Sequence, residues 1–268
     1  MFFLGSTAIS QGEEPVRLER KKLAGIWANV VTVDLNDPRV SLTPVVAEPG
    51  DHRTFMSLLK WGYRPGAPVE KARLVAAING TFFDPPSATV ICNLVARGRL
   101  LTEGTVGNTL IVNRSNQANL TLTAGRAGRH LKLDDAHFAV SAGPTLVFGG
   151  EVMLDPYSEG FSDPGLFRQA RRSAVGITAH NKLVLVTVNT PVSLLRLAWM
   201  MQDLNCTDAL NLDGGSSTGL YYKGRMLSQP KRLLTNLIAV HVRHEIPVEV
   251  PVQADPAGLV PPEALLLP

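Results

Sequence analysis

Apolar residues in this chain come mostly in short alternating or continuous runs, and helical spacing is confined to two places. Ile26-Trp-Ala-Asn-Val-Val-Thr-Val33 and Val40 to Val46 flank Asn36-Asp37-Pro38, a pattern that predicts strand, turn, strand. Leu74-Val-Ala-Ala-Ile78 is continuously apolar and stops at Asn79-Gly80, as a buried strand running into a loop would. Val90 to Ala96, Thr109 to Asn113, Asn119 to Thr123 and Phe138 to Ser141 read as further short strands, punctuated by glycines. Ser173 to Ala179 and Lys182 to Val188 form two strands joined at His180-Asn181, a two-residue hairpin connection. Ala209 to Leu212 then runs into Asp213-Gly-Gly-Ser-Ser-Thr218, and Leu237 to Val242 makes a last strand.

The two helical stretches are short. Phe55, Leu58 and Leu59 share one face within Thr54 to Trp61. Leu194, Leu197, Ala198 and Met201 form a second stripe, with Thr190 as the expected cap, Pro191 at the first helical position and Asn205 as a left-handed stop. The expected fold class is α+β: a single domain, a strand-rich mixed or antiparallel sheet and few helices. Its expected limits are residues 23–245, after an N-terminal segment 1–22 and before a Pro-rich tail 246–268.

Composition narrows the class. With 268 residues, 45% hydrophobic side chains and a net charge of +3, the chain can bury a sizeable core and is not intrinsically disordered. It has no run of about 18 apolar residues, so no transmembrane segment is expected. The basic excess is too small to suggest a nucleic-acid partner. Two cysteines, Cys92 and Cys206, cannot build a disulfide scaffold or a four-cysteine zinc site. The apolar start Met1 to Ser10 ends in Ala8-Ile9-Ser10, a small-x-small pattern without the basic residues of a full signal peptide. It reads as a signal remnant, which favours an extracytoplasmic or secreted protein.

Three segments place polar groups at abrupt strand ends, where pockets are usually assembled. In Ala77-Ile-Asn-Gly-Thr-Phe-Phe-Asp84 a strand delivers Asn79, Gly80 permits a tight turn, and Phe82 and Phe83 either anchor the loop or line a sugar-binding surface. In Arg171-Arg-Ser-Ala-Val-Gly-Ile177, Arg172 enters an apolar strand and can present its planar fork to an oxyanion. In Ala209-Leu-Asn-Leu-Asp-Gly-Gly-Ser-Ser217, a carboxylate leaves an apolar strand into a turn whose glycines let backbone amides approach an anion.

Gly215-Ser-Ser-Thr-Gly219 fits the serine-hydrolase pattern G-x-S-x-G, but strand and turn signals follow it instead of a helix. No aspartate lies between Ser217 and the later histidines His241 and His244, so the triad fails. A P-loop lysine and a zinc H-E-x-x-H pair are both absent. Asp84, Asp135 and Asp213 are carboxylates available for a Ca²⁺ or Mg²⁺ site, and nothing in their spacing requires one.

With these segments in view, the chain resembles the phosphodiester glycosidase family from about Gly25 to Val242. The resemblance rests on Ala77-Ile-Asn79-Gly-Thr-Phe-Phe83, Ser141-Ala-Gly-Pro-Thr-Leu146, Arg172-Ser-Ala-Val-Gly-Ile177, Ala209 to Ser217 and Asn236-Leu-Ile-Ala-Val240, in the family's order. The family's loop often reads Asp-Gly-Gly-Gly-Ser, one glycine more than here before Ser216. Thr81 stands where a glycine is frequent, and Pro191-Val-Ser-Leu replaces the usual Gly-containing helix entry.

The resemblance implies hydrolysis of a sugar joined through C1 to a phosphodiester, releasing free sugar and a phosphomonoester, with a phosphorylated glycan as substrate. The expected catalytic set is Asp213 as acid or base, Arg172 on the phosphate, Asn79 as a further donor and Ser216 as a hydrogen-bonding group. Gly214, Gly215, Ser217, Phe83, Gly143, Thr145 and Asn236 are the expected substrate-binding positions. No cofactor is required by the sequence. Two rival readings share the pocket: an envelope module that binds phosphorylated glycans without turnover, and a metal-dependent phosphodiesterase that attacks phosphorus.

Overall fold

The computed structural model describes residues 14–62, 72–126 and 135–243. The expected signal remnant at Met1 to Ser10 and the Pro-rich tail lie outside the described residues.

Strands dominate, and every registered strand pair among the described residues is antiparallel. A seven-stranded sheet runs in the order Val16–Leu23, Ile26–Asp34, Lys182–Val192, Ala170–Thr178, Cys206–Asn211, Thr145–Phe148, Glu151–Val152. A five-stranded sheet orders Arg225–Ser228, Leu220–Tyr222, Ala72–Asn79, Asn236–Arg243 and Val40–Val46. A second five-stranded sheet holds Ala118–Thr121, Asn108–Asn113, Ala136–Ala142, Leu94–Ala96 and Arg99–Thr102. Phe83–Asp84 and Thr89–Val90 form a small ribbon beside them.

Side chains alternate across each strand and so sort into layers. Val175 and Ile177 join the core shared by the sheets, whereas Ala174 faces the other way. Likewise Leu183 and Leu185 enter that shared core, while Val184, Val186 and Val188 turn outward. Helix α1 (Phe55–Gly62) covers the outer face of the first five-stranded sheet, with Phe55, Leu58 and Leu59 on Leu237 and Ala239. Helix α2 (Leu194–Asp203) covers the outer face of the seven-stranded sheet, packing Leu197, Ala198 and Met201 against Ala174, Val186 and Ala209. The result is one domain in which each helix shields a sheet that would otherwise expose its second apolar face.

Three boundaries differ from the sequence reading. Val16–Leu23 pairs along its length with Ile26–Asp34, so the domain takes in residues 16–22, which the sequence reading assigned to a separate N-terminal segment. The strand before α2 continues through Thr190 and Pro191 to Val192, and the helix cap is Ser193, whose hydroxyl accepts from the Arg196 amide at 3.2 Å. Proline is tolerated there because pairing with Ile26–Asp34 has already ended at Thr187, so its missing N–H breaks no ladder on that side. The hairpin at Ala179 to Asn181 is three residues long, with Asn181 in the left-handed region at φ 55°. Asn205, at φ 58°, stops α2 in the way its sequence position predicts.

Candidate functional site

The first five-stranded sheet and the seven-stranded sheet meet at the ends of three strands: Ala72–Asn79, Ala170–Thr178 and Cys206–Asn211. Asn79 is the buckle between them. Its Oδ1 accepts from the Ser173 hydroxyl at 2.7 Å and from the Gly219 amide at 3.0 Å. Its Nδ2 donates to the Asp213 carbonyl at 2.5 Å and to the Gly80 carbonyl at 3.3 Å. The backbone repeats the tie, with the Asp213 amide donating to the Gly80 carbonyl and the Leu212 amide to the Ser173 carbonyl. Asn236 secures the next turn, accepting from the Thr81 amide at 2.7 Å and donating to the Thr81 carbonyl at 3.0 Å. Gly80 is required at this crossing, because a Cβ there would run into Asn236 Oδ1.

Beside this seam lies a cavity of about 530 Å³. Phe82, Phe83, Phe161, Arg172, Arg232 and the turn Asp213-Gly-Gly-Ser216 line it, together with residues of the loop Gly160 to Leu166. Gly215 sits in the left-handed region at φ 59°, and a side chain at Gly214 would come within 3.0 Å of the Arg171 carbonyl. The Asp-Gly-Gly turn therefore depends on both glycines for its shape.

Asp213 is mostly buried, and its Oδ2 accepts from Arg232 Nη2 at 2.6 Å. Burial raises its pKa above the ordinary carboxylate value; Arg232, Ser217 and the Gly214 amide pull it back only in part. Arg232 Nε also donates to Ser217 Oγ at 2.5 Å, and its guanidinium lies over the Phe83 ring, 4.5 Å from the centroid.

Arg172 is 2% exposed. It donates from Nη2 to the Leu166 carbonyl at 2.7 Å and the Arg168 carbonyl at 2.5 Å, and from Nε to the Val192 carbonyl at 3.3 Å. Among the described residues no carboxylate forms an ion pair with it. Burial lowers its pKa to about 10, which still leaves it charged at neutral pH. A buried cation held only by carbonyl dipoles is poised for an anion.

The cavity brings together Asp213, Arg172, Ser216, Gly214, Gly215 and Phe83. Asn79, Ser217 and Asn236 stand behind its surface, each bonded to groups that shape it. Gly143 and Thr145 sit one layer further back. The Thr145 amide and hydroxyl both donate to the buried Glu159, whose pKa burial pushes up to about 7. A Cβ on Gly143 would come within 2.8 Å of Glu159 Oε2. Asp84 caps its own turn through Ser87, and among the described residues no three His, Cys, Asp or Glu side chains group as a metal site would. Cys92 and Cys206 are free, buried thiols that burial keeps protonated, both pushed up to about 12.

Sequence reasoning missed Arg232, Glu159 and the loop from Asp155 to Arg168. The one signal for Arg232 was its place in Lys231-Arg232, a basic pair in the loop before the last strand. Pro156, Gly160, Pro164 and Gly165 marked the loop as a turn region without saying what it faces.

No curated protein matches the chain by sequence. Among solved structures, the chain is similar in fold to the catalytic domain of zebrafish N-acetylglucosamine-1-phosphodiester alpha-N-acetylglucosaminidase, auto-inhibited by pro-peptide. The TM-score is 0.62 at 16% identity, over 85% of this chain and 82% of that one. A hypothetical protein from Synechocystis gives a TM-score of 0.61 at 18% identity; the match takes in 85% of this chain but only 62% of that one. A Burkholderia pseudomallei protein described as exported gives 0.57 at 14% identity, over 80% of this chain and 73% of that one. The family model for phosphodiester glycosidases matches residues 72–241, a span that includes the buckle, the cavity turn and both arginines. By that match the chain belongs to the phosphodiester glycosidase family, a family of hydrolases.

Proposed function

We propose that this chain hydrolyses a sugar-1-phosphodiester to free sugar and a phosphomonoester by cleaving the C1–O bond. The observation that carries the reading is the pairing, in one cavity, of a carboxylate braced by an arginine with a second, buried arginine that has no carboxylate partner among the described residues. A phosphodiester brings one negative charge, and Arg172 supplies the matching positive one. The Gly214-Gly215 turn lets backbone approach the same oxygens, since no side chain intervenes.

Asp213 acts as the base. Its ion pair with Arg232 favours the ionised form, while burial makes it a stronger base than an exposed carboxylate. It takes a proton from the water that attacks C1. Electrons from the breaking C1–O bond go to the phosphate oxygen, where Arg172 and Arg232 stabilise the growing charge. Phosphate leaves as an anion, so a second carboxylate acting as acid is not required in the way an ordinary glycoside requires it. Asn79 is a positioning residue here: it holds the Asp213 backbone and does not touch the substrate. Extracytoplasmic placement is part of the same proposal, supported by the exported description of the Burkholderia relative.

The test is hydrolysis of a panel of hexose-1-phosphate diesters in ¹⁸O water, by wild type and Asp213→Asn. Label in the sugar, with turnover lost in Asp213→Asn and its unfolding transition kept, is the expected result. Label in the phosphate moves the chain to the phosphodiesterases, and glycan binding without turnover of any diester makes it a binding module.

A further inference from the structure

Glu159 is buried to 2% exposure, and the reaction proposed above gives its carboxyl no part. Both carboxyl oxygens accept from the Thr145 amide, at 2.9 and 3.0 Å, and Oε2 also accepts from the Thr145 hydroxyl at 3.1 Å. That hydroxyl in turn accepts from Asn108 Nδ2 at 2.9 Å. A Cβ on Gly143 would stand 2.8 Å from Oε2 and 2.7 Å from the Phe161 ring, so glycine lets carboxyl and ring pack against the same backbone. The groups that surround the carboxyl are thus neutral, and among the described residues no basic side chain pairs with it. Asp155, on its own loop, is the charged group that acts on it, and opposes ionisation as burial does.

What Glu159 fixes is a wall of the cavity. Residues between Gly160 and Leu166 line it, and Phe161 packs on Phe82 with ring centroids 5.2 Å apart. Further along the same loop, Leu166 and Arg168 give their carbonyls to Arg172 Nη2. The Glu159–Thr145 contact therefore holds to the seven-stranded sheet a loop that both walls the cavity and seats its buried cation. Held there, an ionised carboxylate meets donors from one residue and no counter-charge; released, it reaches water. We propose that Glu159 is a positioning residue: protonated, it latches this wall to Thr145 and keeps Arg172 in place for the phosphate, and ionised it lets both go. This role rests on the reading above that a phosphodiester sits against Arg172.

The direction follows from linkage. With the carboxyl at about 7 when latched and at the ordinary 4.5 in water, release becomes easier as pH rises from 4.5 to 7, by a factor of at most about 300. The other titratable groups lining the cavity are Asp163, Arg172, Asp213 and Arg232, which a change at Glu159 leaves in place.

Dimethyl phosphate is the probe, because it carries one negative charge throughout this range and its binding needs no turnover. Its dissociation constant is measured by calorimetry at pH 5 and pH 8 for wild type and Glu159→Gln, with the unfolding transition of each recorded at both. Wild type should bind about tenfold more weakly at pH 8 than at pH 5. Glu159→Gln stays neutral and keeps an acceptor for the Thr145 amide, so it should match wild type at pH 5 and lose only about twofold by pH 8. On a diester that is turned over, the same difference should appear in KM and not in kcat, since bound substrate favours the latched wall. Wild-type affinity that is flat with pH, or equal losses in the two proteins, overturns the latch and leaves the reaction standing. Dimethyl phosphate that binds at neither pH removes the anion from Arg172, and the latch falls with it. The expected difference in binding, with no diester hydrolysed, keeps the latch and refutes the reaction.

Discussion

Replacing Asn79 by aspartate changes one nitrogen to oxygen and leaves the side-chain volume intact, which makes it a clean probe of the seam between the sheets. In the wild type, Nδ2 donates to the Asp213 carbonyl at 2.5 Å and Oδ1 accepts from Ser173 and Gly219. An ionised aspartate keeps the acceptor side but sets a second oxygen against the Asp213 and Gly80 carbonyls. The site is 1% exposed, so the charged form also loses hydration. A protonated aspartate avoids both costs, because its O–H can donate to the Asp213 carbonyl as the amide does. In the folded variant the introduced carboxyl should therefore titrate well above the unfolded carboxylate value of about 4.

The sign follows from proton binding. Between those two pKa values the folded variant holds a proton that the unfolded chain does not, so its stability falls as pH rises. At about 1.4 kcal/mol per pH unit across that interval, N79D should be close to wild type near pH 4 and roughly 3–5 kcal/mol less stable at pH 8, the cost of an uncompensated buried charge. N79A, which strands the Gly219 amide and the Asp213 carbonyl whatever the pH, should lose about 3 kcal/mol at both. Urea unfolding of each variant, subtracted from wild type at the same pH, reads these differences. An N79D deficit that is the same at pH 5 and pH 8, or that stays within about 0.5 kcal/mol throughout, would refute the idea that Asn79 acts as the donor joining the sheets.

Two other perturbations follow from the same electrostatics. Arg232→Gln removes the main influence lowering the Asp213 pKa, so the acidic limb of the kcat/KM profile should move to higher pH; an unmoved limb would detach Asp213 from that limb. Glu159, at about 7 in the folded protein against an ordinary 4.5, contributes stability below about pH 4.5 that is lost as pH rises through 7. Glu159→Gln stays neutral and should flatten that decline by roughly 3 kcal/mol, read from urea midpoints at pH 5 and 8; a decline of unchanged size would place its cause elsewhere.

Much of the architecture could be read directly because strand burial leaves a local record. Leu74 to Ile78 is continuously apolar and Leu237 to Val242 is apolar but for the buried His241, and Asn79 stands where the first of these runs breaks, as Asp213 does after Ala209 to Leu212. What could not be read was set by neighbours distant in sequence. Arg172 looks the same on the page whether it meets a ligand or the carbonyls of Leu166 and Arg168. Arg232 belongs to no local pattern, and only the approach of the Asp213 turn gives it a role. The α2 start was misplaced by three residues because Thr190-Pro191 and Ser193 are both acceptable openings locally. The sheet, by carrying its strand on to Val192, decides between them.

The Asn79 buckle also bears on how the molecule comes into being. Its bonds to Ser173, Asp213 and Gly219 close loops of 94, 134 and 140 residues. Contacts of that span are slow to form, since the intervening chain must surrender its freedom before they return anything. Neither sheet alone contains the cavity, and no fragment of the chain that ends before Gly219 can complete it. Competence is thus acquired late in the life of each molecule, after nearly all of its strands have been synthesised and paired. On the proposed reaction, a nascent chain acquires its activity only once these distant segments have joined.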